Sequence, residues 1–184
     1  MGTVREPESV KYFTGVLFPG PEYGATICSQ IENNISEIEY KSDIFEFRVT
    51  DYYSDEIGPR IYKQFLVFKG LHRPEYIVDI KLKTNELEKE LALILNCGYP
   101  RPVNLDPGYV TLSKMVLATT KDYSHRIYIG RGIYAEVTLY FRDGTFTPWP
   151  WTYPDYRSED YILFFNTLRH KYKKELRMHK DMKP

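Results

Sequence analysis

Asp106, His125 and Glu136 are the side chains best placed for acid–base or electrostatic work, because Lys114, Lys121, Arg126 and Arg131 crowd the same part of the chain. Basic groups gathered beside the glycine amides of Gly130 and Gly132 suit a phosphate or a carboxylate, which charged donors and exposed backbone N–H groups both hold well. His125, as an imidazole beside the polar hairpin, is a candidate general acid or base, although a histidine satisfied within the fold is the plainer reading. Asp106 precedes Pro107-Gly108, where a carboxylate either caps a following helix or projects into a cleft. Were Asp106 and Glu136 to converge, two carboxylates, water and a substrate phosphate could complete the shell of a magnesium ion. Two acids so far apart in sequence assign no metal site.

The strand pattern around Gly130-Arg131-Gly132 makes this arrangement specific. Along residues 133–141, Ile133, Ala135, Val137, Leu139 and Phe141 face one way, and Tyr134, Glu136, Thr138 and Tyr140 the other. A three-residue loop sets Arg126 opposite Glu136 and Tyr128 opposite Tyr134, whereas a two-residue loop flips the parity and puts Ile127 against Glu136. That polar face is either a solvent-side ladder or the floor of an anion pocket. On the second reading the ligand-binding residues are Lys114, Lys121, Arg126, Tyr128, Arg131 and Tyr134, and the candidate catalytic groups His125, Asp106 and Glu136.

Downstream, Trp149, Trp151, Tyr153 and Tyr156 alternate with Pro148, Pro150 and Pro154. Prolines keep the segment extended, so its rings must pack on something: a lid over the sheet, or a wall on which a base or sugar stacks. Familiar reaction signatures are missing. There is no G-x-x-x-x-G-K-[ST] loop to cradle a nucleotide, and no G-x-G-x-x-G, G-x-S-x-G, H-E-x-x-H or C-x-x-C.

The elements that must position these groups read as an α+β fold, helices packed on a largely antiparallel sheet and ferredoxin-like in the N-terminal half. Residues 10–18 form a strand buried on both faces. Ile27, Ile31, Ile35 and Ile38 predict a helix over 25–39, followed by strands at 44–50 and 61–69. A strand at 76–82 precedes a helix capped by Thr84. Residues 103–106 make a short strand that stops at Pro107-Gly108, and residues 109–118 a helix with Leu112, Met115 and Val116 inward. Strands at 125–129 and 133–142 form the hairpin, Asp143-Gly144 turns the chain into 145–149, and Ser158 opens a long helix with Tyr161, Phe165, Leu168, Tyr172 and Leu176 on one face.

With 184 residues, 42% of them hydrophobic, the chain can bury a core, and no linker divides it. We read one domain over residues 1–184: a βαββ(β)α-like half at 1–98, a strand-rich half carrying the candidate site at 99–156, and a basic helix at 157–184. Apolar runs are too short to cross a bilayer and no secretory signal opens the sequence, which implies a cytoplasmic protein without a membrane partner. Cys28 and Cys97 are two lone thiols. The formal net charge of the whole chain is zero but unevenly spread, with nine acidic residues against two basic between positions 20 and 57 and eight basic against four acidic between 157 and 184.

The runs N-L-D-P-G-Y-V-T-L-S-K-M-V-L-A-T-T-K-D-Y-S-H-R-I-Y-I-G-R-G-I-Y-A-E-V-T-L and W-T-Y-P-D-Y, with V-K-Y-F-T-G-V-L-F at the start, resemble an uncharacterised bacterial family, DUF4416. The resemblance spans nearly the whole chain and implies no activity, substrate or catalytic residue. Members sometimes carry a GTP-binding label, for which this sequence has no Walker loop. The leading expectation is a protein that binds a phosphorylated small molecule or nucleotide, with or without chemistry on it. Two alternatives come from other classes: an RNA-binding or ribonucleoprotein-associated module using Lys171, Lys173, Lys174 and Arg177, and a structural protein that self-associates through the aromatic segment.

Overall fold

A computed structural model describes residues 2–48 and 53–181. Its centre is β1 (Lys11–Phe18), in which every residue is buried. Alternation sends Tyr12, Val16 and Phe18 to one face of the sheet and Phe13 to the other, and both faces are covered. Among the described residues nine strands join in one sheet with the order β2-β4-β1-β5-β6-β8-β7, β3 adding to β4 and β9 to β8. The pairings among the described residues are all antiparallel.

In the first half, β1 leads to α1 (Gly24–Asn34), β2 (Ile38–Lys41), β3 (Phe45–Phe47), the single turn α2 (Ser54–Ile57), β4 (Ile61–Phe68) and α3 (Ile77–Leu95), and β5 (Asn104–Val110) closes it. The order β5-β1-β4-β2, with α1 and α3 packed together on one face, is that of a split βαβ unit. The expected helix over 25–39 ends at Asn34, because Ile38 and Tyr40 enter β2 and pair with β4. Of the strand expected at 44–50, Phe45–Phe47 is found, and Val49 and Thr50 lie outside the described residues.

Two expectations are overturned. The strand at 76–82 and the helix capped by Thr84 are one nineteen-residue helix, α3. Its buried stripe steps through Ile77, Lys81, Thr84, Glu88 and Leu91 at helical spacing, but three of those five side chains are polar, so an apolar pattern alone misses its first half. Likewise the helix expected at 109–118 is a strand pair, β5 and β6 (Lys114–Thr119). Pro107-Gly108 does not stop β5, which passes through both residues. The turn comes later, where Thr111 N–H donates to the Lys114 carbonyl at 2.8 Å and Thr111 Oγ1 accepts from Lys114 N–H at 3.1 Å. Met115 and Val116, three and four residues from Leu112, point to opposite faces of the sheet.

The remaining strands are β7 (Ile127–Gly130), β8 (Ile133–Arg142) and β9 (Thr145–Pro148). The β7–β8 turn is two residues long, Arg131 and Gly132, both at positive φ, as hairpin turns require. A bulge between Tyr128 and Gly130 then restores the parity that a three-residue loop would have given, so Tyr128 still faces Tyr134. Helix α4 (Glu159–Asp181) covers the face opposite α1 and α3. The residues expected inward, Tyr161, Phe165, Leu168, Tyr172 and Leu176, are all buried. Phe65 on β4 is the hub of that layer, with ring centroids 4.8 to 5.0 Å from Tyr161, Phe164 and Phe165. No helix among the described residues is long and apolar enough to cross a membrane.

Gly108 marks the tightest crossing of β5 and β6. A Cβ there would overlap the Val116 carbonyl oxygen and meet the Phe13 and Leu117 side chains at 2.9 Å. Gly108→Ala is expected to lower the unfolding free energy by about 3 kcal/mol or more, since the overlap is with backbone that cannot move aside; urea denaturation of the variant against the parent chain measures it.

Candidate functional site

The cavity follows from where two strands part. β6 pairs with β5 only over Gly108, Tyr109 and Val110, and Pro107, just upstream, has no N–H to offer a neighbour. Nearer its N-terminus β5 is paired with β1 on one side alone. Two side chains of α3 serve the open side: Lys81 Nζ donates to the Leu105 carbonyl at 2.9 Å, and Glu88 accepts from the Leu105 N–H at 2.7 Å. That is why Lys81 and Glu88 occupy core positions of the helix.

The gap becomes a cavity of about 570 Å³, of the size that holds small-molecule ligands. Its walls come from the ends of β1, β4, β5 and β6, from α3, from the loop through Lys121 and His125, and from the aromatic segment 151–156. Charged side chains line it in pairs. Lys63 of β4, 2% exposed, donates to Asp155 at 2.6 Å and lies 4.2 Å from the centre of the Tyr156 ring. Lys81 stands 3.7 Å from Asp106, which also accepts from Asn104 at 2.6 Å. Arg101 donates to Glu56 at 2.8 Å and to Asn104 at 3.1 Å, with Glu88 at 3.6 Å. Burial pushes the Glu88 carboxyl above its ordinary range despite these neighbouring cations.

Arg126 organises the opposite wall. Its guanidinium donates to Glu136 at 2.8 Å, to the Lys121 carbonyl at 2.9 Å and to the Tyr153 hydroxyl at 2.7 Å, and Tyr123 lies face-on 4.8 Å away. Glu136 takes a further bond from Thr138 at 3.0 Å and has His125 Nε2 at 3.3 Å. His125 stacks between Tyr123 and Trp151, and Trp151 lies parallel to Trp149 at 5.1 Å, so a column of rings lines the rim. The segment is pinned by Thr152, whose hydroxyl donates to the Thr138 carbonyl at 2.6 Å, where neither β7 nor β9 pairs with β8.

Five residues singled out in the sequence therefore meet here: Asp106, Lys121, His125, Arg126 and Glu136. Four do not. Lys114 is exposed at the far end of β6, opposite Tyr140. Tyr128 and Tyr134 form an edge-on ring pair at 5.4 Å away from the cavity lining, and Arg131, at the hairpin tip, pairs with Asp79 of α3. Asp106 caps no helix; it sits within β5. Both Asp106 and Glu136 reach the cavity, but each is already bonded to donors, and no group of three or more histidine, cysteine or acidic side chains among the described residues could hold a metal. Sequence reasoning missed Lys63, Lys81, Glu88, Arg101, Asp155 and the role of Tyr156. The available signal was a lysine and a glutamate on the apolar stripe of α3 and a lysine on the buried face of β4. On α4, Lys171 lies over the Tyr40 ring at 4.4 Å, while Lys173, Lys174 and Arg177 are exposed.

A family model described as a domain of unknown function, DUF4416, matches residues 8–172. The chain belongs to that family. No curated protein and no solved structure matches it. The DUF4416 match contains the whole cavity, from Leu17 to Tyr156.

Two outcomes test these pairings. Arg126→Ala leaves Glu136 buried without its main partner and is expected to cost about 3–5 kcal/mol, part of which Glu136→Gln in the same chain restores; chemical denaturation of the single and double variants gives the coupling. Glu88, with a folded pKa above the ordinary 4.5, contributes stability that is fully present below 4.5 and lost as pH rises through the folded value. Glu88→Gln keeps the acceptor for Leu105 N–H and should flatten that part of the stability–pH curve.

Proposed function

We propose that this DUF4416 protein binds a phosphorylated small molecule in the cavity between β5 and β6. The observation that carries the reading is the convergence of Lys63, Lys81, Arg101, Lys121 and Arg126, from five places in the sequence, on one recess of small-molecule size. Buried cations are costly unless a partner offsets them, and functional sites are where proteins keep such groups. Lys63 and Arg126 are almost fully enclosed and paired with Asp155 and Glu136, and Arg126 holds its wall through three hydrogen-bond partners. Arg101, about one third exposed, and Lys121, exposed at the rim, are the cations a phosphate meets first, and the arginine fork suits its oxygens. The ring column at the mouth offers an apolar border of ring edges to the rest of the ligand.

Thermal unfolding in the presence of inorganic phosphate, pyrophosphate, sugar phosphates and nucleotides tests this. A ligand at one hundred times its Kd adds about 2.7 kcal/mol, which raises Tm by roughly 5–10 °C for a chain of this size. Arg101→Ala and Lys121→Ala should each weaken affinity by about tenfold, the size expected for a charged hydrogen bond, which roughly halves the shift at the same ligand concentration. The two tryptophans of the sequence, Trp149 and Trp151, stack on each other beside the cavity, so binding should also change intrinsic emission. Absence of any shift with every phosphorylated probe would remove the reading.

A further inference from the structure

Tyr156 is 3% exposed and lines the cavity, yet its hydroxyl is buried and makes no hydrogen bond. Buried polar atoms in folded proteins almost always have a partner, so an orphaned donor at a cavity wall points to an acceptor supplied from outside the chain. We propose that the acceptor is a hydroxyl of a sugar ring, held by the Tyr156 phenol and by the carboxylates of Asp106 and Asp155, so that the cavity takes a sugar phosphate. The inference rests on the phosphate-binding reading above and names the substrate class for the same site.

The surroundings decide between acceptors. A phosphate oxygen only accepts and is anionic, whereas the carboxylates of Asp155, Asp106 and Glu136 line the same cavity as this phenol, and the nearby cation, Lys63 at 4.2 Å from the ring centre, is already bonded to Asp155. Burial first, then those carboxylates, pushes the Tyr156 hydroxyl well above its ordinary range, so it stays protonated and remains a donor. A sugar hydroxyl answers both demands at once: it accepts from the phenol and donates to a carboxylate, a bond strengthened by the charge. The phosphate is then left to the outer cations, Arg101 and Lys121. Tyr153, a little under half exposed at the rim, offers its ring, and Trp151, stacked between His125 and Trp149, its edge, to the C–H side of the sugar.

Reaching the phenol requires one neighbour to give way. Gly15 on β1 packs closely beside it: a Cβ there would stand 3.3 Å from the Tyr156 hydroxyl, from Lys63 Cε and from the Phe65 ring alike, so any opening must come from a side chain. The flexible four-carbon stem of Lys63 is the side chain able to shift, since its Nζ is held by Asp155 and by ring faces rather than by backbone.

Titration calorimetry and thermal unfolding with ribose, its terminal phosphate ester and inorganic phosphate test the proposal, in the parent chain and in Tyr156→Phe. The parent should bind the pentose phosphate at least tenfold more tightly than inorganic phosphate. In Tyr156→Phe that preference should shrink fivefold or more, while Tm without ligand stays equal or rises, because the lost hydroxyl had no partner. Asp106→Asn should shrink the preference as well. Equal affinity of the parent for both phosphates, or a preference undiminished in both variants, overturns the sugar assignment and leaves phosphate binding standing. Binding of free ribose with no response to either phosphate sustains the sugar assignment and sinks the phosphate reading instead. No response to any of the three overturns both.

Discussion

The parting of β5 from β6 at Pro107 is the constraint on which the rest of the molecule depends. A proline has no amide hydrogen, so the ladder between these strands begins only at Gly108, where the backbones come close enough to exclude any side chain. Upstream, the amide and carbonyl of Leu105 would be left open in the interior, and the protein meets both with α3 through Glu88 and Lys81. One missing hydrogen thereby explains two polar residues on a helix's buried stripe and a recess beneath them. It also explains why the charges there come in pairs.

A second interruption, along the outer edge of β8, is handled in the same way. β7 pairs with the first part of that strand and β9 with the last, and between them Thr152 bonds to the Thr138 carbonyl and Arg126 to Glu136. Around β4, Ser42 does the equivalent service between β2 and β3, accepting from and donating to Phe65. Side chains thus complete a sheet whose strands are too short to complete each other. Where the completing groups are charged, stability is exchanged for a chemically equipped interior, since well-packed apolar residues would hold such positions at least as well.

How much of this was legible follows from the same physics. The stripe of α4 and the double-faced burial of β1 are apolar patterns of a single period, and they read directly. The Arg126–Glu136 register was readable, a bulge supplying the residue that the turn lacked, but its burial was not: Arg126, Glu136 and Thr138 lie inside while Ile127 is exposed, the reverse of what an apolar pattern implies. Helix α3 was not readable in full, because Lys81 and Glu88 break its pattern for reasons that lie in another element. Pro107-Gly108 looks like a turn to any local rule, and only the strands on either side keep it extended. Of the site, the half contributed by neighbouring residues was visible. Lys63, Arg101 and Asp155 come from distant positions, and nothing local distinguishes them.

The guanidinium of Arg126 joins a strand, a loop carbonyl and a tyrosine hydroxyl, with another ring laid across it. Four pieces of the wall consequently share one fastening, so displacing any of them loosens the others together. Loss of any one of them leaves a buried charged group short of a partner, so the cost of disturbing this wall falls on the whole margin.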